Sequence, residues 1–144
     1  MTNFGTRTVL AVSGAILVGI GSWPMAAPII FLATSEVIVE HDAGLMSEVT
    51  APSGMPGMIG AFMIFSAIKA RLVSFGLAAG AAVYGSYGFS RLVSQYLHGT
   101  PTDSLVVVMY FELTVAALLL ALTLKIQAAN PLQQVDAFHQ EMTQ

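Results

Sequence analysis

Four stretches of the chain run almost uncharged for the length of a membrane crossing, and that constrains the fold more than any motif does. They cover about residues 8–23, 52–70, 72–97 and 103–125. Each is close to the ~20 apolar residues that carry a helix across ~30 Å of hydrocarbon. Strands of a membrane barrel would be shorter and would alternate apolar with polar positions. Here alanine, leucine and methionine follow one another without alternation, and a helix satisfies its own backbone in lipid. The expected fold is an all-α membrane protein, a four-transmembrane-helix bundle over residues 1–125, with a polar tail at 126–144.

Only 9% of the 144 residues are charged, against 56% hydrophobic. A typical soluble domain carries about 25% charged residues. A chain this poor in charge needs lipid to solvate part of its surface. The net charge of −3 gives no basic footprint for nucleic acid. With no cysteine, thiol catalysis, disulfides and cysteine-held metal centres are excluded. Arg7, an apolar run and "PMAAP" imitate a secretory signal, but Pro28 would make a poor first mature residue. The stretch is therefore expected to stay as the first span, ending near Trp23, with residues 25–33 forming an extra turn at the surface.

Arg7, Lys69, Arg71 and Lys125 all fall at span ends that share one side. By the positive-inside tendency that side is cytoplasmic, which puts both termini inside a bacterial inner membrane. The outer side then holds the acidic connector "SEVIVEHDAGLMSEV" and the turn "HGTPTD". In that turn Gly99 suits a helix C-cap, Thr100 an N-cap, Pro101 the first helical position and Asp103 a capping-box carboxylate. Spans three and four should form a close antiparallel hairpin. The tail offers Asn130 as N-cap and Pro131 at the first position of a short amphipathic helix. A frayed polar tail is the equal alternative.

Polar residues inside the spans are few. Tyr84, Tyr87, Gly88, Arg91, Gln95 and His98 recur at spacings of three and four and share one face of span three. Arg91 and Glu112 are each eight residues from the turn, counted from Gly99 and Ser104, so they should lie level. An ion pair between them lowers the cost of burying either charge. As a structural element the pair would staple spans three and four. As a functional one it would line a pocket, with Glu112 or His98 as acid/base and Arg91 as anion holder. Glu48, at the mouth of span two, is a candidate third member and a candidate catalytic carboxylate. Gly76 and Gly80 form a GxxxG through which a partner membrane protein or a second copy could approach. Glu36, Glu40, His41 and Asp42 match no metal-site spacing and read as a solvated acidic cap. The methionines read as packing or lipid-facing residues. No motif calls for a cofactor or metal, and heme ligation by His98 lacks a second ligand nearby in sequence.

Two segments resemble a known family. "SEVTAPSGMPGMIGAFMIFSAIKA" is similar to its second-helix entrance, and "YGFSRLVSQYLHGTPTDSLVVVMYFELTVAALLLAL" to its hairpin of Gly, Arg, Leu, Ser, Gly-x-Pro and a later Glu. The family comprises small bacterial four-helix membrane proteins catalogued as a domain of unknown function, number four thousand three hundred and forty-five. The resemblance implies recurrent polar positions at Glu48, Arg91, Ser94 and Glu112, with Gly99 and Pro101 in the turn. The chain departs from the pattern at Thr50, where the family often has arginine, and at His98, where it often has aspartate. The resemblance implies a fold but no reaction.

The leading expectation is a non-catalytic inner-membrane protein, an accessory subunit or a binder of a lipophilic molecule. Its partners would be the lipid bilayer and a neighbouring membrane protein or second copy, with no nucleic acid. The alternative is a membrane isomerase or hydrolase using Glu112 or Glu48 with Arg91 and Tyr87. A proton-coupled transporter ranks last, because an arginine beside the carboxylate works against proton uptake.

Overall fold

The computed structural model describes residues 4–129, and every regular element among them is helical. The expected tail helix from Asn130 onward lies outside the described residues. Four helical stretches are long and apolar enough to cross a membrane. The first is α1 (Phe4–Ala26), followed by the short α2 (Pro28–Ala33). Then come α3 (Ala43–Thr50) and α4 (Gly54–Ile68), joined by a tighter helical turn at Ala51–Ser53. A break at Lys69 and a turn at Ala70–Leu72 lead into α5 (Val73–His98), and α6 (Asp103–Ala128) completes the bundle.

Local chemistry sets several boundaries differently from the sequence expectation. α1 does not stop near Trp23. It runs through Pro24 to Ala26, and the Ala27 amide still bonds the Trp23 carbonyl at 2.9 Å. Residues 28–33 then form a separate helix with Pro28 in its first turn, where a missing amide hydrogen costs nothing. α2 ends in a Schellman closure. Val37 N–H bonds Leu32 O, Glu36 N–H bonds Ala33 O, and Glu36 sits in the left-handed region at φ 62°. The outer connector is shorter than expected because Asp42 caps α3, its carboxylate accepting from Leu45 N–H at 2.8 Å. The backbone stays right-handed helical through Pro52, so 43–68 forms one stretch of spanning length.

The hairpin turn also differs. Gly99 closes α5 at φ 94°, as suits a residue without a side chain. α6, however, begins at Asp103 with Thr102 as N-cap, so Pro101 precedes the cap and Thr100 does not fill it. Asp103 then lies in the first turn, where a negative charge meets the positive end of the helix dipole. At the other end α6 continues past Lys125 to Ala128.

α1 packs most extensively on α4, and α5 on α6, while α4 and α5 join the two pairs. The contacts fix the directions. Gly14 lies against Gly60, and Gly21 against Ser53 and Gly57, so α1 and α4 are antiparallel. Gly76 meets Ser66, and Gly80 meets Met63 and Leu119. Those pairings run α4, α5 and α6 alternately as well. The core between the pairs is built from Leu10, Leu17, Met63, Leu77, Tyr84 and Leu119, all almost fully buried. α6 buries only Met109, Glu112, Leu119 and Thr123, a single stripe, and turns the rest of its surface outward.

Candidate functional site

Gly88 is what lets the polar pair form. A Cβ there would stand 2.7 Å from Leu113 Cγ, so α6 crosses α5 at close range just beside Glu112. One turn on from Gly88, Arg91 Nε donates to Glu112 Oε2 at 2.9 Å. This is the one ion pair among the described residues. Its two halves sit in different surroundings. The Glu112 side chain is 4% exposed, and that of Arg91 is 32% exposed. Arg91 uses only Nε, and among the described residues no donor engages the second carboxylate oxygen, Oε1.

Below the pair, Tyr84 is buried in the core and its hydroxyl donates to Ser13 O of α1 at 2.8 Å. Its ring meets Phe111 edge-on, centroids 6.3 Å apart. This hydroxyl ties the α5–α6 pair to α1 at the level of the site.

The two helix pairs leave a cavity of about 160 Å³ between them. α1 supplies Leu17, Ile20 and Pro24 to its wall, and α2 supplies Phe31. The helical turn before α4 and the start of α4 supply Pro52, Ser53 and Pro56. The facing wall is Tyr84, Tyr87, Arg91 and Glu112. Phe31 is held by an edge-on contact with Trp23, centroids 5.9 Å apart. The cavity is therefore mostly apolar, with one ion pair and two tyrosines on one side, the usual composition of a small-molecule site.

The structure brings together Tyr84, Tyr87, Arg91 and Glu112 and leaves the other expected members out. Glu48 is exposed, lines no part of the cavity and forms no ion pair among the described residues, so the expected triad does not assemble. Pro52 and Ser53 take the wall position on that side. The stripe on α5 opens outward past Arg91: Gln95 is half-buried, while Ser94 and His98 are exposed and away from the cavity. Gly76, Gly80 and Gly88 are buried against α4 and α6, so the small-residue face expected to receive a partner packs within the chain. Among the described residues no group of three or more His, Asp or Glu could hold a metal ion.

Several contributors escaped the sequence reading. α1 and α4 approach backbone to backbone at Gly14–Gly60 and at Gly21–Gly57, and the "GAILVGIG" spacing of Gly14 and Gly21 is the signal for it. Arg7 sends Nη2 to the Ile68 carbonyl at 2.6 Å, capping the end of α4. Pro24 joins Pro52 and Pro56 at the cavity although it lies far from them in the chain.

No curated protein and no solved structure matches the chain. A family model, however, matches residues 5–123, the stretch that holds almost all of the four apolar helices. By that match, the chain belongs to the family described as domain of unknown function DUF4345.

Proposed function

We propose that this is a small inner-membrane protein, with both termini cytoplasmic, that binds a lipophilic molecule in the cavity between its two helix pairs. The observation carrying this reading is an apolar cavity of about 160 Å³ whose one charged edge is a self-neutralising pair. Arg7, Lys69, Arg71 and Lys125 at one end of the bundle support the orientation. The accessory-subunit form has less support, because the glycine face expected to receive a partner is covered by α4 and α6.

The test is extraction of small molecules from protein isolated in native nanodiscs, read by mass spectrometry. Ile20→Trp, which fills the cavity from α1, serves as the comparison. A molecule enriched with the wild type and lost from Ile20→Trp supports the reading. Identical extracts from both would refute it. Fluorescent and phosphatase fusions to the C-terminus test the orientation.

A second reading rests on a different observation: a carboxylate, a tyrosine and an arginine border the same cavity. In an isomerase or hydrolase, Glu112 would move the proton while Arg91 and Tyr87 held a developing anion. Glu112→Gln would then abolish turnover of the co-purified molecule while retaining its binding. A proton-coupled transporter is the weakest reading, since Arg91 already engages the one buried carboxylate among the described residues.

A further inference from the structure

We infer that the cavity takes a neutral, flat ring bearing a hydroxyl group, with the hydroxyl at the Arg91–Glu112 edge; this rests on the binding reading above. Size comes first. An engineered apolar cavity of ~150 Å³ accommodates benzene, and this one measures about 160 Å³. It has room for one six-membered ring with a small substituent. Shape comes second. Pro24, Pro52 and Pro56 with Phe31, Tyr84 and Tyr87 give walls of rings with few rotatable bonds. Rigid walls of this kind match a flat guest better than a flexible chain, which would lose its rotamer freedom on entry.

Charge and hydrogen bonding decide the substituent. The edge is neutral in sum, so an anion would face the Glu112 carboxylate and a cation the Arg91 guanidinium. Each partner still has capacity. Glu112 Oε1 is an acceptor with no donor among the described residues, on a side chain only 4% exposed. Arg91 bonds through Nε alone, leaving its terminal nitrogens as donors. A hydroxyl is the small neutral group that both donates and accepts at one atom. It can give its proton to Oε1 and take a hydrogen bond from the guanidinium. A hydrocarbon ring satisfies neither.

The experiment uses the full chain in nanodiscs, with the side-chain methyls of Leu17 and Ile20 labelled for NMR. Exposed methyls of Val12 and Leu124 report simple partition of a probe into the bilayer. Four probes are titrated: 4-methylphenol, toluene, 4-methylbenzoate and hexan-1-ol. The expected result is saturable shifts at Leu17 and Ile20 with 4-methylphenol, at about tenfold or more tighter affinity than toluene, the gain of a hydrogen bond to a charged group, and tighter than with 4-methylbenzoate or hexan-1-ol. Equal binding of toluene overturns the hydroxyl assignment and leaves the binding reading standing. Tighter 4-methylbenzoate overturns neutrality, and equal hexan-1-ol overturns the ring. If all four move only Val12 and Leu124, the inference and the binding reading both fall.

Discussion

The α1–α4 contact makes a sharp test of what holds the cavity walls together. A Cβ on Gly60 would stand 2.6 Å from Gly14 O, 2.7 Å from Val18 N and 2.9 Å from Val18 Cγ2. Two of those neighbours are backbone atoms of a helix and cannot rotate away. To restore ordinary contact at about 3.4 Å, the helices must part by roughly 0.8 Å at this point. Gly57, one turn earlier on the same helix, has nothing within 4 Å of its own Cβ position. Alanine at either site gains the same helix propensity, up to about 1 kcal/mol. That gain cancels in the difference between Gly60→Ala and Gly57→Ala, which then reports packing alone. Overpacking of this kind costs about 1–3 kcal/mol. Gly60→Ala should therefore be less stable than Gly57→Ala by that amount, and Gly57→Ala should match or exceed the wild type. The assay is reversible unfolding by SDS in mixed micelles, followed by circular dichroism and by Trp23 fluorescence. If Gly60→Ala unfolds at the same SDS fraction as Gly57→Ala, or a higher one, the glycine contact does not hold α1 against α4.

Other substitutions probe the site and its supports, each read by the same unfolding assay. Because Glu112 is far more buried than Arg91, the two halves of the pair should respond unequally. Arg91→Met strands a buried carboxylate and should cost about 3–5 kcal/mol, whereas Glu112→Gln leaves a half-exposed cation and should cost about 1–3 kcal/mol; equal losses would contradict the burial argument. Tyr84→Phe removes the bond to Ser13 O and should lower stability by about 1 kcal/mol, with no change meaning that this hydroxyl does not tie α5 to α1. Arg7→Met keeps the apolar stem but uncaps Ile68 O, with an expected loss of about 1 kcal/mol; an unchanged midpoint would show that the α4 terminus needs no cap.

What could be read from the sequence were the terms that act locally or along one helix. Four apolar runs dictate four membrane helices because hydrocarbon leaves a backbone no other way to satisfy itself. Arg91 and Glu112 could be paired in advance because a tight turn puts equal counts on two antiparallel helices at equal depth. The register of separate helices was decided only in three dimensions. Gly14 and Gly60 meet across a long connector, and Arg7 reaches Ile68 over nearly half the chain; neither contact has a local pattern that names its partner. The same limit misplaced the span-three glycines. GxxxG signals close approach but does not say to whom, and here the chain's own Ser66, Met63 and Leu119 fill the space. Glu48 looked like a third member of the polar cluster by position along the chain alone. The helical path through Pro52 presents Pro52, Ser53 and Pro56 to the cavity instead, and Glu48 stays exposed. The cavity itself is a property of how two helix pairs fail to close on each other, so it exists only in the tertiary structure.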